Sequence, residues 1–254
     1  MNVVIVGSGN VATIMAKVIH KAGHDIVQIL GRNENHAKEL AKIYSCEWGS
    51  FKSTPYANAD IYILAISDNS LSHLDVYPSL GKRIVVHTAG SVSKEVLKEL
   101  SENYGVIYPL QSLTKHSEDI YSLPLMIDGN SETVKDVVES FAKTLSPNVS
   151  YASDPERLKY HIAAVLVNNF TNHLFEMAED FCEKEHIEFK KLLPLINETF
   201  VRIKTKSPKD VQTGPALRED IYTMGRHLQL LTAHSDIKYL YLKLSESILK
   251  FHQK

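Results

Sequence analysis

The first thirty residues follow a strand, turn and helix pattern of apolar and polar positions. Residues 3–6 are apolar β-formers, residues 7–9 are a Gly-Ser-Gly turn, and apolar residues then recur at helical spacing as far as Ala22. Gly23 is expected to end the helix, and the apolar run at residues 26–30 predicts a second strand. The chain therefore opens with a strand–helix–strand unit whose first turn is rich in glycine.

The glycine turn matches the G-x-G-x-x-A form of the dinucleotide-binding pattern. Gly7 allows the tight turn, Gly9 lets the backbone approach a pyrophosphate, and Ala12 permits close packing of the helix on the strand. The phosphates would lie at the helix N-terminus, where free N–H groups and the helix dipole favour an anion. The expected cofactor contacts in this segment are Gly7, Ser8, Gly9, Asn10 and Val11.

The end of the second strand predicts which dinucleotide binds. NAD-binding versions of the motif place an acidic residue about 20 residues after the glycines, whereas NADP-binding versions use an arginine for the 2′-phosphate. Here Leu30 and Gly31 occupy the acidic position, and Arg32 and Asn33 follow. We therefore predict NADP, bound in part by Arg32 and Asn33. The alternative is that Arg32 is an ordinary solvated charge at a strand end.

Strand and helix patterns continue to alternate up to about residue 152. Apolar runs that are typical of buried strands cover residues 60–67, 83–87, 105–108 and 125–127. Helices are predicted at residues 34–44, 93–100 and 131–145. This alternation predicts an α/β fold with a doubly wound, Rossmann-type sheet and a ligand crevice at the carboxyl ends of its strands. Ser67, His87 and Gln111 lie at or near such ends and are added to the expected cofactor site.

The pattern changes to all-helical at Ser153. A capping box with proline in the first turn begins there, and the helix that follows is expected to run to about Glu185. A second amphipathic pattern at residues 189–203 is interrupted by Pro194, and two more helices follow a loop that contains Pro208, Gly214 and Pro215.

Two domains follow from this change of pattern. Residues 1–152 are predicted to form an NADP-binding Rossmann domain, and residues 153–254 an all-α domain for substrate binding or dimerisation. The long helix is apolar on more than one face and exceeds what a small bundle can cover. We therefore expect a homodimer through the C-terminal helices.

Polar residues stand inside the most apolar part of the long helix. Residues 162–170 are apolar almost all round, which predicts burial, yet Asn168 lies among them and His161 precedes them. His161 and Asn168 share a helix face, about 10 Å apart along the axis. That span fits a small substrate or a nicotinamide amide. The alternative is a satisfied core histidine and an asparagine bonded to a neighbouring helix.

Composition narrows the classes of function. The 254-residue chain is 44% apolar and has a formal net charge of −2, without the basic block that a nucleic acid or an anionic membrane requires. Only Cys46 and Cys182 are present, so neither a metal site nor a disulfide framework is indicated. The glycine turn interrupts the first apolar run too early for a signal peptide or membrane span, and a cytoplasmic protein is expected.

Motifs along nearly the whole chain resemble a known group of proteins. They are the segments at residues 7–12, 31–33, 60–68, 87–91, 108–111, 161–169 and 213–220. Together they look like the bacterial Rossmann-like proteins with a helical C-terminal domain of unknown function. Those proteins are similar to the deazaflavin-dependent NADP oxidoreductases and pyrroline-5-carboxylate reductase, and more distantly to β-hydroxyacid dehydrogenases and ketopantoate reductase. The resemblance implies a Rossmann fold and NADP.

One departure from the wider group concerns the proton donor. β-Hydroxyacid dehydrogenases carry a helical lysine three residues before an Asn-Asn pair, and here that position is Val165. His161 is the titratable replacement one turn upstream, and its side-chain type suits proton donation. His87 and Gln111 are candidates to orient the nicotinamide or the substrate. Arg218 is a candidate clamp for a substrate carboxylate, or else forms a salt bridge with a neighbouring acidic residue.

Two functions of different classes remain open. The first is an NADP-dependent oxidoreductase that reduces a small carbonyl or imine substrate at an interdomain crevice, with His161, Asn168 and Arg218 as catalytic residues. The second is a non-catalytic NADP-binding protein whose helical domain mediates dimerisation or partner binding. A methyltransferase is a weaker option, because Arg32 stands where an acidic residue would hold its cofactor ribose.

Overall fold

A computed structural model describes residues 1–51, 53, 55, 58–74, 77–115 and 122–252. The chain forms two compact units, Met1–Asn168 and Asn169–Lys254. In the described residues, none of the helices combines the length and apolarity that a membrane crossing requires.

The first unit is built on one eight-stranded sheet. Its strands are β1 (Asn2–Val6), β2 (Asp25–Gly31), β3 (Glu47–Ser50), β4 (Ile61–Leu64), β5 (Ile84–His87), β6 (Asn103–Pro109), β7 (Leu125–Gly129) and β8 (Val149–Tyr151). They lie in the order β3-β2-β1-β4-β5-β6-β7-β8, and the first six are parallel. Strand β7 runs antiparallel to β6, and β8 is parallel to β7. The 3-2-1-4-5-6 order confirms the predicted Rossmann-type fold.

The helices of this unit are α1 (Asn10–Lys21), α2 (Glu34–Tyr44), α3 (Asp68–Leu71), α4 (Glu132–Leu145) and α5 (Asp154–Ala164). Helices α1, α2 and α4 contribute to one apolar cluster of the sheet, and α3 contributes Leu71 to the other. Alternate residues of β1 enter different cores, since Val3 and Ile5 belong to one apolar cluster and Val4 and Val6 to another. Strands buried on both faces explain why the sequence shows continuous apolar runs there.

The segment after β5 differs from the prediction. Instead of a helix at residues 93–100, the chain makes one 3₁₀ turn, Lys94–Leu97. The Lys94 N–H donates to the Asp154 carboxylate at 3.1 Å, and the Ser93 hydroxyl donates to the same side chain. Leu97 and Leu100 are buried below the turn. These contacts hold the segment in a short turn, which helical periodicity over eight residues does not predict.

Helix α5 is fastened to the sheet by Arg157, whose side chain is only 1% exposed. Its Nε donates to the Ala89 carbonyl at 3.2 Å, its Nη2 donates to the Val92 carbonyl, and Nη2 pairs with Asp154 at 2.8 Å. The compact units therefore divide after Asn168, beyond the sequence boundary at residues 152/153. That the boundary at residues 152/153 separates an NADP-binding domain from a substrate or dimerisation domain stays a prediction.

The long helix extends as predicted but is not uniform. After α5 comes a π-helical turn, Val165–Phe170, and then α6 (Thr171–Lys184). Turns of this kind are frequent at functional sites. The expected burial of residues 162–170 is wrong for the single chain, because Ile162 is 54% exposed and Val167 is 71% exposed. These apolar side chains form a surface that is exposed in the single chain.

The second unit consists of helices with little core of their own. Besides α6 they are α7 (Leu193–Ile203), α8 (Pro208–Val211), α9 (Ile221–Leu230) and α10 (Ser235–His252), with 3₁₀ turns at Phe189–Leu192 and Leu231–Ala233. Pro194 lies in the first turn of α7 and opens that helix rather than interrupting it. The described residues buried in this unit are Cys182, Ala216, Leu231 and Ser245.

Candidate functional site

The glycine turn brings β1 and β4 together at the carboxyl edge of the sheet. Gly7 has a φ of +137°, and a Cβ there would lie 2.1 Å from the Ala65 carbonyl oxygen, so another residue would not fit. Gly9 precedes α1 without a side-chain cap, and a Cβ on it would meet nothing within 4 Å. The first N–H groups of α1 are therefore accessible to an anion. Asn10 and Val11 form the start of that helix.

A cavity of about 250 Å³ opens beside this turn. Its lining includes six predicted cofactor residues, namely Gly7, Ser8, Gly9, Arg32, Asn33 and Ser67. His36 also lines it and was not predicted, although its place in the first turn of α2 puts it near Arg32. Asn33 caps α2 by accepting the His36 N–H at 3.2 Å, and Ser67 caps α3. The cavity thus joins the ends of β1, β2 and β4.

Arg32 is exposed on the wall of this cavity. In the portions of the chain that the structure describes, no carboxylate lies within ion-pair distance of its guanidinium. Its charge is therefore available to a ligand.

The structure corrects the expectation for His87. Its side chain is fully buried, so it presents no surface to a cofactor. Nδ1 accepts the Ala89 N–H at 3.1 Å, while Nε2 has no hydrogen-bond partner among the described residues. Burial, and after it the charge of Arg157, lowers the pKa of His87 to about 4, which keeps the imidazole neutral at physiological pH. Gln111, in contrast, is exposed just after β6, as expected.

His161 lies on the end of β6, next to a residue that the sequence did not single out. Its Nδ1 is 3.0 Å from the Tyr108 hydroxyl, and the two rings meet edge to face. Gly90 borders both rings, because a Cβ on it would lie 2.7 Å from His161 Nδ1 and 2.7 Å from Tyr108 Cζ. The available signal for Tyr108 was a hydroxyl at the end of an otherwise apolar strand, directly before Pro109.

Asn168 contacts the same end of β6. Its Oδ1 accepts a hydrogen bond from the Ser112 hydroxyl at 2.7 Å. His161 and Asn168 thus face the segment that begins at Tyr108 and includes Gln111, in agreement with their predicted common helix face. Arg218 belongs to the second unit and is exposed. Among the described residues it forms no salt bridge, so the expected pairing with Glu219 or Asp220 is not observed.

The strand order, the accessible helix N-terminus and the cationic wall define a Rossmann-type protein that binds an anionic dinucleotide. Residues 2–91 match the family model described as NADP oxidoreductase coenzyme F420-dependent, and residues 123–248 match a domain of unknown function (DUF2520). No curated protein matches the chain. A Bacteroides fragilis protein assigned to the NADP oxidoreductases is 34% identical over 98% of both chains, with a TM-score of 0.89.

The chain therefore belongs to the NADP oxidoreductase family, which confirms the predicted cofactor NADP and the oxidoreductase class. More distant structures share its fold. The 1-pyrroline-5-carboxylate reductase of Streptococcus pyogenes is 15% identical over 98% of both chains, with a TM-score of 0.63. A reductive aminase from Aspergillus terreus, solved with NADPH and ethyl-5-oxohexanoate, is 16% identical over 99% of both chains, with a TM-score of 0.69.

The neutral, buried state of His87 predicts a dependence of stability on pH. Below about pH 6.5 the unfolded chain binds a proton on this imidazole, whereas the folded chain does so only near its pKa of about 4. The stabilisation is complete above pH 6.5 and is lost as the pH falls. Between pH 7 and pH 4.5 the wild type should lose about 2 to 3 kcal/mol that His87→Gln does not lose.

Urea denaturation of both proteins at the two pH values measures this difference. His20→Gln is the control, since that histidine is exposed on α1 and forms no ion pair among the described residues. Equal losses in the wild type and His87→Gln would show that the imidazole does not resist protonation in the fold.

Proposed function

We propose that this protein is an NADPH-dependent reductase of a small carbonyl or imine compound, with His161 as the proton donor. The observation that carries the proposal is the position of His161 on the Tyr108 hydroxyl, at the same sheet edge as the glycine turn. Ligands of open α/β sheets bind outside the carboxyl ends of the strands. A nicotinamide held there would have a proton donor beside it.

The fit of the chain to NADP rests on three features of the first unit. The N-terminus of α1 has free N–H groups for the pyrophosphate, Gly9 leaves the approach open, and Arg32 supplies a charge for the 2′-phosphate. NADPH supplies a hydride when bound. The residues of this chain then have to orient the ring, hold the substrate and deliver one proton.

His161 and Asn168 suit the last two tasks. Among the described residues, Nε2 of His161 has no hydrogen-bond partner, so it can face a substrate while Nδ1 is held by Tyr108. The amide of Asn168 has its Oδ1 engaged by Ser112, which leaves its N–H₂ group to orient an acceptor. Arg218 as a carboxylate clamp stays a prediction.

A homodimer through the C-terminal helices is part of the proposal. Almost every large apolar side chain of the second unit is half-buried or exposed, including Leu195 at 65% and Ile221 at 82%. A helical unit with so few buried residues does not supply its own hydrophobic stabilisation. A second copy of the chain would cover this surface. The same surface supports the alternative, a non-catalytic NADP-binding protein with a protein partner, and turnover distinguishes the two.

The cofactor proposal predicts a preference for NADPH that depends on Arg32. Arg32→Ala should remove most of it, because a charge-assisted contact of roughly 1.5 to 3 kcal/mol with the 2′-phosphate is lost. Titration calorimetry of NADPH and NADH measures both affinities. Lys42→Ala removes an exposed charge at the other end of α2 and should change neither. Equal affinities of the wild type for the two cofactors would contradict the assignment.

The reductase proposal predicts NADPH oxidation with at least one member of a panel of aldehydes, keto acids and imines. His161→Gln should slow that turnover by about 10² to 10⁴, the usual contribution of a general acid, with nearly unchanged NADPH affinity. His20→Gln, exposed on α1, is the control. If no panel member is reduced while NADPH binds tightly, the non-catalytic alternative is favoured.

The dimer proposal predicts a mass of twice the single chain by light scattering at micromolar concentration. Val167→Glu should shift the mass towards that of the monomer, since Val167 is 71% exposed within the apolar helix surface. Ile43→Glu is the matched control, because Ile43 is 70% exposed on α2, outside the C-terminal helices. A wild-type monomer that persists on concentration would refute the proposal.

A further inference from the structure

We propose that Tyr108 and His161 form a two-step proton relay, in which the Tyr108 hydroxyl is the proton source and Nε2 of His161 delivers the proton to the substrate. The inference rests on the proposed reductase function and deepens it. It assigns a role to Tyr108, and it changes His161 from an independent acid into the second member of a pair.

The geometry of the pair is set by close packing. The Tyr108 hydroxyl oxygen and His161 Nδ1 are 3.0 Å apart, and the ring planes are inclined by 69° with their centres 6.0 Å apart. Gly90 occupies the corner between the rings, where any Cβ would clash with both. The backbone on either side of Gly90 is held by Arg157, which donates to Ala89 and Val92. The positions of the Tyr108 and His161 side chains are therefore fixed by packing.

The direction of the hydrogen bond follows from burial. Tyr108 is 8% exposed, and within the described residues its hydroxyl has no partner other than His161. If Nδ1–H were the donor, the hydroxyl hydrogen of this largely buried residue would have no acceptor among the described residues, which is costly. The hydroxyl therefore donates to Nδ1. A neutral His161 that accepts at Nδ1 carries its own hydrogen on Nε2, on the side of the ring away from Tyr108.

The surroundings of Tyr108 act on its hydroxyl in opposite directions, and only Arg157 favours release of the proton. Burial raises the pKa of Tyr108, the Arg157 guanidinium opposes that rise, and the Asp68 carboxylate adds to it. Arg157 also has one buried donor, Nη1, without a partner among the described residues. This cation can stabilise the tyrosinate that forms when the proton leaves.

Asp68 is a carboxylate that accepts the Ser91 hydroxyl and has no ion-pair partner among the described residues. The other titratable groups near the pair are neutral or ion-paired. His87 on β5 is neutral, and Asp154 on α5 is paired with Arg157. Asp128 on β7, the strand beside Tyr108, is paired with Lys94 at 2.7 Å. None of them competes with Tyr108 for the proton on His161.

The proton transfer balances without a further reactant. The Nε2–H bond of His161 breaks as the substrate oxygen or nitrogen gains a hydrogen, and the O–H bond of Tyr108 breaks as Nδ1 gains one. His161 stays neutral throughout, and Tyr108 becomes a tyrosinate. The hydride from NADPH completes the reduction of the C=O or C=N bond. Water returns one proton through the same pair in the opposite direction.

Side-chain ¹⁵N NMR tests the hydrogen-bond direction without turnover. In histidine-labelled protein, signals of His161 are identified by their loss in His161→Gln. At a pH where the ring is neutral, Nδ1 should show the shift of a hydrogen-bonded acceptor, and Tyr108→Phe should move that shift. Tyr104→Phe is the matched control, since Tyr104 is on the same strand and donates to Glu95 at 2.8 Å. A protonated Nδ1 in the neutral wild type would overturn the relay.

The pH profile of kcat/KM tests the relay in turnover. If Tyr108 supplies the proton to a neutral His161, kcat/KM should be independent of pH from about pH 7 to about pH 9, because tyrosine retains its proton there. In Tyr108→Phe the hydroxyl proton is absent and the proton has to come from solvent, so kcat/KM should fall as the pH rises through this range. Tyr104→Phe should keep the level profile.

The outcomes separate the relay from the reductase proposal. A wild-type profile that falls with rising pH in the same way as that of Tyr108→Phe overturns the relay and leaves the reductase intact. If Tyr108→Phe does not fold, the test uses a proton inventory of the wild type, in which the rate is measured against the D₂O fraction of the solvent. A curved plot, which indicates two protons in transfer, supports the relay, and a linear plot overturns it. Absence of turnover with every panel substrate overturns the reductase proposal, and the relay falls with it.

Discussion

A buried guanidinium determines the position of helix α5 on the sheet. Arg157 donates to two carbonyls of the loop after β5 and pairs with Asp154, which in turn holds Ser93 and Lys94. Removal of one member of such a buried pair leaves an uncompensated charge, which typically costs about 3 to 5 kcal/mol. The loop and the helix are therefore fixed together, and the contacts of His161 depend on both.

The carboxyl edge of the sheet has two regions that differ in their side-chain chemistry. Around β1, β2 and β4 the chain offers backbone N–H groups and a cationic side chain, which suit phosphates. Around β5 and β6 it offers a buried tyrosine hydroxyl and a histidine, which suit proton transfer. Parallel strands bring both regions to one edge, so a dinucleotide can span from the first to the second. In the proposed function, binding and chemistry use different strand ends of one sheet.

The sequence predicted the parts of the structure that depend on local order. The strand, glycine turn and first helix are specified within about twenty residues, so the cavity residues from Gly7 to Arg32 were accessible to pattern reasoning. The common face of His161 and Asn168 followed from helical spacing. Tyr108 was missed because its significance comes from a helix 53 residues later in the chain.

Three other errors also concern features that the local sequence does not determine. His87 looked like a cofactor ligand at a strand end, but its side chain is fully buried, and its Nδ1 accepts the N–H of Ala89, whose carbonyl accepts from Arg157. A 3₁₀ turn at Lys94–Leu97 stands where a longer helix was predicted, and its first N–H group donates to Asp154, a residue far away in sequence. Residues 162–170 were predicted to be buried because they are apolar. An apolar composition does not distinguish burial within the same chain from burial against another molecule.

The central claim is that one sheet edge both binds NADPH and carries the proton donor. A crystal structure of the NADPH complex tests it most directly. The account predicts the 2′-phosphate at Arg32, the pyrophosphate at the N-terminus of α1, and the nicotinamide ring beside the Tyr108–His161 pair with Nε2 of His161 facing it. A nicotinamide ring that lies away from the ends of β5 and β6, with His161 shielded from it, would contradict the account.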